Sequence, residues 1–305
     1  MKIRKVVIPA AGKGTRFLPI TKTIPKEMLP VIDKPVIQYV VEEAVASKIE
    51  DIIIITERSK RTIEDYFDSF FELEKHLEIN GKKQELANIR KITNMANFIY
   101  IRQKGNRYGN AIPVLMAQPA IGSEPFAVMW GDEFIMSKPP RLAQMIKAYE
   151  KHKGVIISGV RIKDKNKISR YGIADIEPVA SLPVIASQLS EPVEKNLFKI
   201  KKIVEKPSPE EAPSNLATHG AYILPPEIFD IIKNLKPSKG GEVWLVDAIN
   251  ELQKNGCPIY AYEIENGEYY DTGNKLEYLK TVIKLSLKRP EFSKDLKKIL
   301  KDLIK

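Results

Sequence analysis

A short apolar run, Val6-Val7-Ile8, stops at Pro9 and opens into Ala10-Ala11-Gly12-Lys13-Gly14-Thr15-Arg16. Small residues at the end of a buried strand let backbone N–H groups approach an anion closely, and cations at Lys13, Arg16, Lys22 and Lys26 can neutralise it. The guest this pattern predicts is a polyphosphate. Two commoner glycine-rich loops are excluded. The dinucleotide fingerprint needs a third glycine where Phe17 stands, and no Gly-Lys followed by Ser or Thr occurs after a glycine and four spacers. An ordinary strand-to-loop turn is the plainer alternative.

Three further groups carry charge at the ends of apolar runs. Lys26-Glu27-Met28-Leu29-Pro30 follows the glycine loop closely enough to fold back over it, and a lysine there can bridge phosphate oxygens as a compact point charge. Asp132 follows Phe126-Ala127-Val128-Met129-Trp130-Gly131, a position from which a carboxylate can hold Mg²⁺ beside substrate phosphates or cap the next helix. Val204-Glu205-Lys206-Pro207 puts an acid and a base where proline ends strand pairing, either as a hairpin-end ion pair or facing a cleft. Tyr270-Asp271-Thr272-Gly273-Asn274 reads as a tight turn with a second carboxylate.

Elements able to position these groups alternate through the first half. Val6–Pro9, Asp51–Thr56, Asn97–Gln103 and Phe126–Trp130 read as strands, the second as a wholly apolar run of the kind buried on both faces of a parallel sheet. Between them, Lys34-Pro35 opens a helix with Val36, Ile37, Val40, Val41 and Ala44 at helical spacing. Ser59 is the expected N-cap of the next helix, and 72–95 and 111–120 are helical. The expected fold is α/β, with a doubly wound, Rossmann-like mixed sheet whose ligands lie beyond the carboxyl ends of the strands. Those ends carry Ala11 to Arg16, Gln103 to Asn110, and Asp132.

After a helix over 140–152 and a strand over 154–160, the pattern changes. Tyr171–Ile176 and Phe198–Glu205 read as antiparallel strands around an exposed hairpin loop, Pro178 to Pro192. A strand over 218–224, helices over 225–235 and 242–254, a strand over 258–264 and a helix over 275–287 follow. Leu296, Ile299, Leu300, Leu303 and Ile304 predict a final amphipathic helix that caps the core or contacts another copy.

The 305 residues suit one large α/β domain, and 43% hydrophobic with 29% charged residues are globular values. The formal charge of +10 raises nucleic acid as a partner. The lysines are dispersed, and no RNP-like motif, zinc finger or basic heptad accompanies them, so a solvated basic surface is expected instead. One cysteine, Cys257, excludes an intramolecular disulfide framework, and no run is long enough to span a membrane. With no signal-peptide pattern, a cytoplasmic protein is expected. Three scattered histidines have no zinc-type spacing.

Taken in order, GxGTRxLP, PKEMLP, RQ…G, GD, VEKP, GGExxLxDAI and DTGNKLxY form a set that resembles the sugar-phosphate nucleotidyltransferases, and more narrowly the prokaryotic UTP–glucose-1-phosphate uridylyltransferases. The resemblance runs from about Lys2 to Lys280. It implies one catalytic domain over 1–280, with a nucleotide-binding half to about 153 and a sugar-binding half over about 154–280, a small antiparallel β extension, and a C-terminal helical tail over 281–305. It implies Mg²⁺ as cofactor, UTP and glucose 1-phosphate as substrates, and a homodimer or homotetramer.

The resemblance further implies that Ala11, Gly12 and Gly14 wrap the nucleotide, with Arg16 on its β- and γ-phosphates and Lys26 against the phosphates undergoing exchange. Gln103 would read the uracil edge with help from Gly109. Asp132 would bind the metal with Asp271 nearby. Gly172, Glu205 and Gly220 would hold the sugar, and Lys206 its phosphate. Three positions depart from the pattern: Asn110 in place of histidine, Trp130-Gly131 in place of Leu-Pro, and Val246 in place of threonine. Another nucleotide (dTTP, ATP or GTP), another sugar 1-phosphate, or a non-catalytic regulatory homologue are the competing expectations.

Overall fold

The computed structural model describes residues 2–179 and 195–303. The apolar run after the N-terminus becomes β1 (Lys5–Pro9), with Val6, Val7 and Ile8 wholly buried. A two-residue antiparallel pair, β2 (Pro30–Val31) and β3 (Lys34–Pro35), leads into α1 (Val36–Ala46), and Pro35 is the residue just before the helix. Then come β4 (Asp51–Thr56), the helices α2 (Arg61–Phe67), α3 (Phe71–Ile79) and α4 (Lys83–Thr93), and β5 (Asn97–Arg102). The short helices α5 (Ala111–Met116) and α6 (Gln118–Ile121) precede β6 (Phe126–Met129), β7 (Glu133–Met136) and α7 (Arg141–His152).

The second half runs β8 (Val155–Arg161), β9 (Gly172–Pro178), β10 (Leu197–Glu205), β11 (Leu216–Leu224), α8 (Ile228–Asn234), α9 (Leu245–Lys254), β12 (Ile259–Glu263), β13 (Glu268–Asp271), α10 (Lys275–Lys288) and α11 (Pro290–Leu303).

Nine strands form one mixed sheet in the order β5-β4-β1-β6-β11-β8-β12-β10-β9. β4 and β6 flank β1 in parallel, β11 runs antiparallel to β6 and β8, and β9 and β10 make the expected antiparallel pair at the far edge. Alternation along the strands feeds two apolar layers. Val7, Ile53 and Ile55 pack toward α5, α8 and α9, while Val6, Ile8, Ile52 and Ile54 face α1 and α7. Both faces of the central strands are therefore dry, which is why those strands are continuously apolar. The sequence order of strands reverses between β1 and β6, so the crevice beyond their carboxyl ends is the topological switch point of the sheet.

Several local expectations are corrected. Ser59 is not the N-cap of α2; its hydroxyl donates to Glu57 at 2.7 Å and lies within a 3-10 turn, Arg58–Lys60. Tyr270 and Asp271, expected to open a turn, instead end a strand, β13, which pairs antiparallel with β7. The helix expected from Glu242 begins at Leu245. No residue of α11 is buried, so α11 does not cap the core. Most of the expected loop from Pro178 to Pro192, and Ile304 of the last helix, lie outside the described residues.

Candidate active site

The loop after β1 turns at Gly14, whose left-handed backbone (φ 63°) packs against Thr21, with the Thr21 hydroxyl donating to the Gly14 carbonyl at 2.8 Å. Gly12 is exposed, and a Cβ there would meet nothing within 4 Å. Its small size therefore leaves room above the loop rather than serving internal packing. Ala11 lies beside it at the carboxyl end of β1. Arg16 reaches across to the Gly273 carbonyl at 3.4 Å.

Arg16, Asp132, Asp271 and Lys206 line one cleft of about 400 Å³ together with Glu133, Arg170, Tyr171, Tyr269, Gly273 and Asn274. The Lys26 ammonium is ion-paired with the Asp132 carboxylate. Burial by itself would push Lys26 down and Asp132 up. Their mutual attraction reverses both, holding the lysine above and the aspartate below its ordinary range. Both groups are thereby kept charged.

The two sequence-distant carboxylates meet through the β7–β13 ribbon. Asp271 is the register partner of Glu133, and the Thr272 N–H donates to the Asp132 carbonyl at 3.3 Å. Burial pushes the Asp271 carboxyl up; the Gly273 N–H donating to it at 2.6 Å opposes this, and the charges of Glu133 and Asp132 add to the rise. A divalent cation would relieve that repulsion. Among the described residues no set of three His, Cys, Asp or Glu side chains forms a cage for a metal. Two carboxylates beside a glycine loop instead suit Mg²⁺, which keeps most of its coordination for water and substrate oxygens. The donor set fits that ion.

Next to Lys206, Glu205 pairs in register with Gly172, and a Cβ on Gly172 would come within 3.1 Å of the Glu205 carboxylate. Burial raises the Glu205 carboxyl despite Lys206, whose ammonium is 3.6 Å away. Gly220 has a left-handed backbone (φ 54°), and any Cβ there would overlap the Glu133 carboxylate. Its smallness is thus set by a protein contact. The structure brings Arg16, Lys26, Asp132, Asp271, Glu205, Lys206 and Gly172 around this cleft.

Gln103 and Gly109 are not among the residues that line this cleft. Gln103 follows β5 directly, its N–H donating to the Thr56 carbonyl at 2.9 Å. Gly109 (φ 122°) is pressed against the backbone of Val243, which a Cβ would overlap, so packing requires a glycine here. Two of the sequence departures also find structural reasons. The Asn110 side chain accepts the Leu245 N–H at 2.7 Å at the start of α9, and Val246 is buried in the apolar layer.

Sequence reasoning missed two buried polar groups beneath the site. Lys60 and Glu27 form a 2.8 Å ion pair with side chains 4% and 1% exposed, directly behind Lys26. Glu133 accepts from Tyr269 at 2.7 Å and lies 3.5 Å from His219; burial would raise its carboxyl, and His219 holds it down. Neither carries a local motif. Glu27 and Glu133 do sit beside Lys26 and Asp132 in the chain, which was the one available signal.

A doubly wound sheet with a glycine loop at its switch point, beside a cleft of clustered lysines, arginines and carboxylates, suits a phosphoryl- or nucleotidyl-handling α/β protein. The nucleotidyl transferase family model matches residues 5–286, and the chain belongs to that family. Across 305 residues, and all of both chains, it is 45% identical to UTP–glucose-1-phosphate uridylyltransferase 1 of Staphylococcus saprophyticus. It is 40% identical to a UDP-glucose pyrophosphorylase solved with UDP-glucose, over 94% of this chain and 100% of that one (TM-score 0.79). A UTP-bound UGPase from Acinetobacter baumannii is 37% identical over 99% of each chain, with a TM-score of 0.85.

Proposed function

We propose that this chain transfers UMP from UTP to glucose 1-phosphate, yielding UDP-glucose and pyrophosphate. The observation that carries the reading is the convergence of Arg16, Lys26 and Asp132 from the nucleotide side with Asp271, Glu205 and Lys206 on one cleft. Full-length relatives bear the name of this activity.

A phosphate oxygen of glucose 1-phosphate attacks the α-phosphorus of UTP in line, and the bond to the β-phosphate oxygen breaks. The nucleophile is already ionised at neutral pH, so no general base is required. Ala11, Gly12 and Gly14 wrap the nucleotide, and Gln103, with Gly109, reads the uracil edge. Arg16 and Lys26 hold the departing pyrophosphate. Gly172, Glu205 and Gly220 hold the glucose, and Lys206 fixes its phosphate against the α-phosphorus. Catalysis then rests on positioning and on charge neutralisation. Mg²⁺, held by Asp132 with Asp271, would supply further neutralisation of phosphate charge.

On this reading residues 1–280 are one catalytic domain, with its nucleotide half to about 153 and its sugar half over about 154–280, and 281–305 are a helical tail. The protein works in the cytoplasm as a homodimer or homotetramer. No described helix is long and apolar enough to cross a membrane. A pyrophosphate-release screen of four nucleoside triphosphates against a panel of sugar 1-phosphates with Mg²⁺ tests the activity. UTP with glucose 1-phosphate should give the highest kcat/KM. Absence of release with every pair would overturn the enzyme reading, and a maximum with dTTP would overturn the choice of base.

A further inference from the structure

Lys206 is an awkward residue on which to rest a transition state. It follows β10 on a left-handed backbone (φ 48°), and its side chain is about half exposed (49%). Glu205, its one ion-pair partner among the described residues, stands 3.6 Å away. A flexible four-carbon stem under those conditions samples many positions. A second contact restricts it: the ammonium lies 5.0 Å from the centre of the Trp244 ring.

Trp244 is itself firmly placed by backbone contacts on either side of it. Gly240 and Gly241 both take left-handed backbone (φ 75° and 74°) and turn the chain toward the loop after β5. There the Val243 N–H donates to the Tyr108 carbonyl at 2.7 Å, and the Val243 carbonyl accepts the Ala111 N–H at 3.1 Å. Gly109 admits this approach, and Asn110 caps Leu245. Residues 108–111 thus hold 243–245 from both sides of Trp244.

We infer that Trp244 is a positioning residue for the transfer reaction, its indole face holding the Lys206 ammonium at the cleft wall where the sugar phosphate docks. The inference rests on the assignment of Lys206 to that phosphate. A cation over an indole at a partly exposed site biases its position about two- to fivefold. Because the cation is attracted by the ring's quadrupole, an aromatic replacement retains part of the effect and an aliphatic one loses it.

The sequence holds two tryptophans, Trp130 and Trp244. In a Trp130→Phe background, indole emission therefore reports on Trp244 alone. Titration with UDP-glucose, which carries the sugar phosphate, should change that emission as the ammonium turns toward the phosphate, and Lys206→Met should abolish the change. In the otherwise native enzyme, Trp244→Leu should lower kcat/KM for glucose 1-phosphate about two- to fivefold with the KM for UTP unchanged. Trp244→Phe should fall between the two. Emission indifferent to UDP-glucose in an enzyme that turns over, or equal losses in the Leu and Phe variants, would overturn the inference. If Lys206→Met itself keeps a native KM and kcat for glucose 1-phosphate, the assignment of Lys206 fails first. If Lys206→Met is impaired and Trp244→Leu is not, the inference about Trp244 fails alone.

Discussion

Replacing Lys60 by methionine isolates the buried pair beside Lys26. Glu27 is 1% exposed and its ion-pair partner is Lys60 at 2.8 Å. The substitution keeps most of the aliphatic volume but strands a carboxylate in a dry site, which costs about 3–5 kcal/mol when one member of a buried pair is removed. With a urea slope of about 3 kcal/mol/M, the midpoint should fall by about 1–1.7 M. Burial already holds the Glu27 carboxyl above its ordinary range even with Lys60 opposing it, and losing Lys60 raises it further. For a raised carboxyl, the stabilising contribution is fully present below the unfolded value and is lost as pH rises through the folded one. The deficit of Lys60→Met should therefore be largest at pH 8 and shrink as pH falls toward 5. Urea titrations at three pH values, with Glu27→Gln/Lys60→Met as the neutral double variant, measure this. The double variant should recover much of the loss. A single variant with the native midpoint at pH 8, or a deficit that grows on acidification, would refute the reasoning.

Three further outcomes follow from the same geometry. Lys206→Ala should lower kcat by about 10²–10³, the scale of removing one charge-stabilising donor, while equilibrium dialysis shows UTP still bound. Gly220→Ala combines a left-handed backbone with overlap onto the Glu133 carboxylate, so thermal denaturation should show a loss of about 1–3 kcal/mol or more. Chelation with EDTA should abolish pyrophosphate release and added Mg²⁺ restore it, whereas Asp132→Asn should stay inactive after the same addition.

The central strands were legible because burial on both faces leaves an unmistakable apolar run, as at Asp51–Thr56. The charged residues of the cleft were legible as types, because each stands where an apolar run stops. What escaped were features created by pairing over long separations. Glu133–Met136 and Glu268–Asp271 are four residues each and, among the described residues, pair as strands with each other alone, so neither carries enough alternation to be read by itself. Ser59 had the composition of a cap, but the neighbouring Glu57 takes its hydroxyl. Gly109 is pressed against the backbone of Val243, a contact between residues 134 positions apart that becomes visible once the chain is folded. In α11 the apolar periodicity was real, yet Ile299 and Leu303 remain 53% and 77% exposed. Periodicity identified the helix without identifying its neighbours.

The β7–β13 ribbon also has a bearing on how this enzyme is made. Thr272 and Asp132, joined by its hydrogen bonds, are 140 positions apart in the chain. A nascent polypeptide can complete the glycine loop and the Lys26 turn early, since β1, β4 and β6 lie within its first half. The second carboxylate joins the first after Tyr269 to Thr272 have been synthesised, and such distant closure is intrinsically slow. Chains truncated ahead of β13 would thus carry the glycine loop without the paired carboxylates, and the cleft would be completed by one of the last pieces of the fold to emerge.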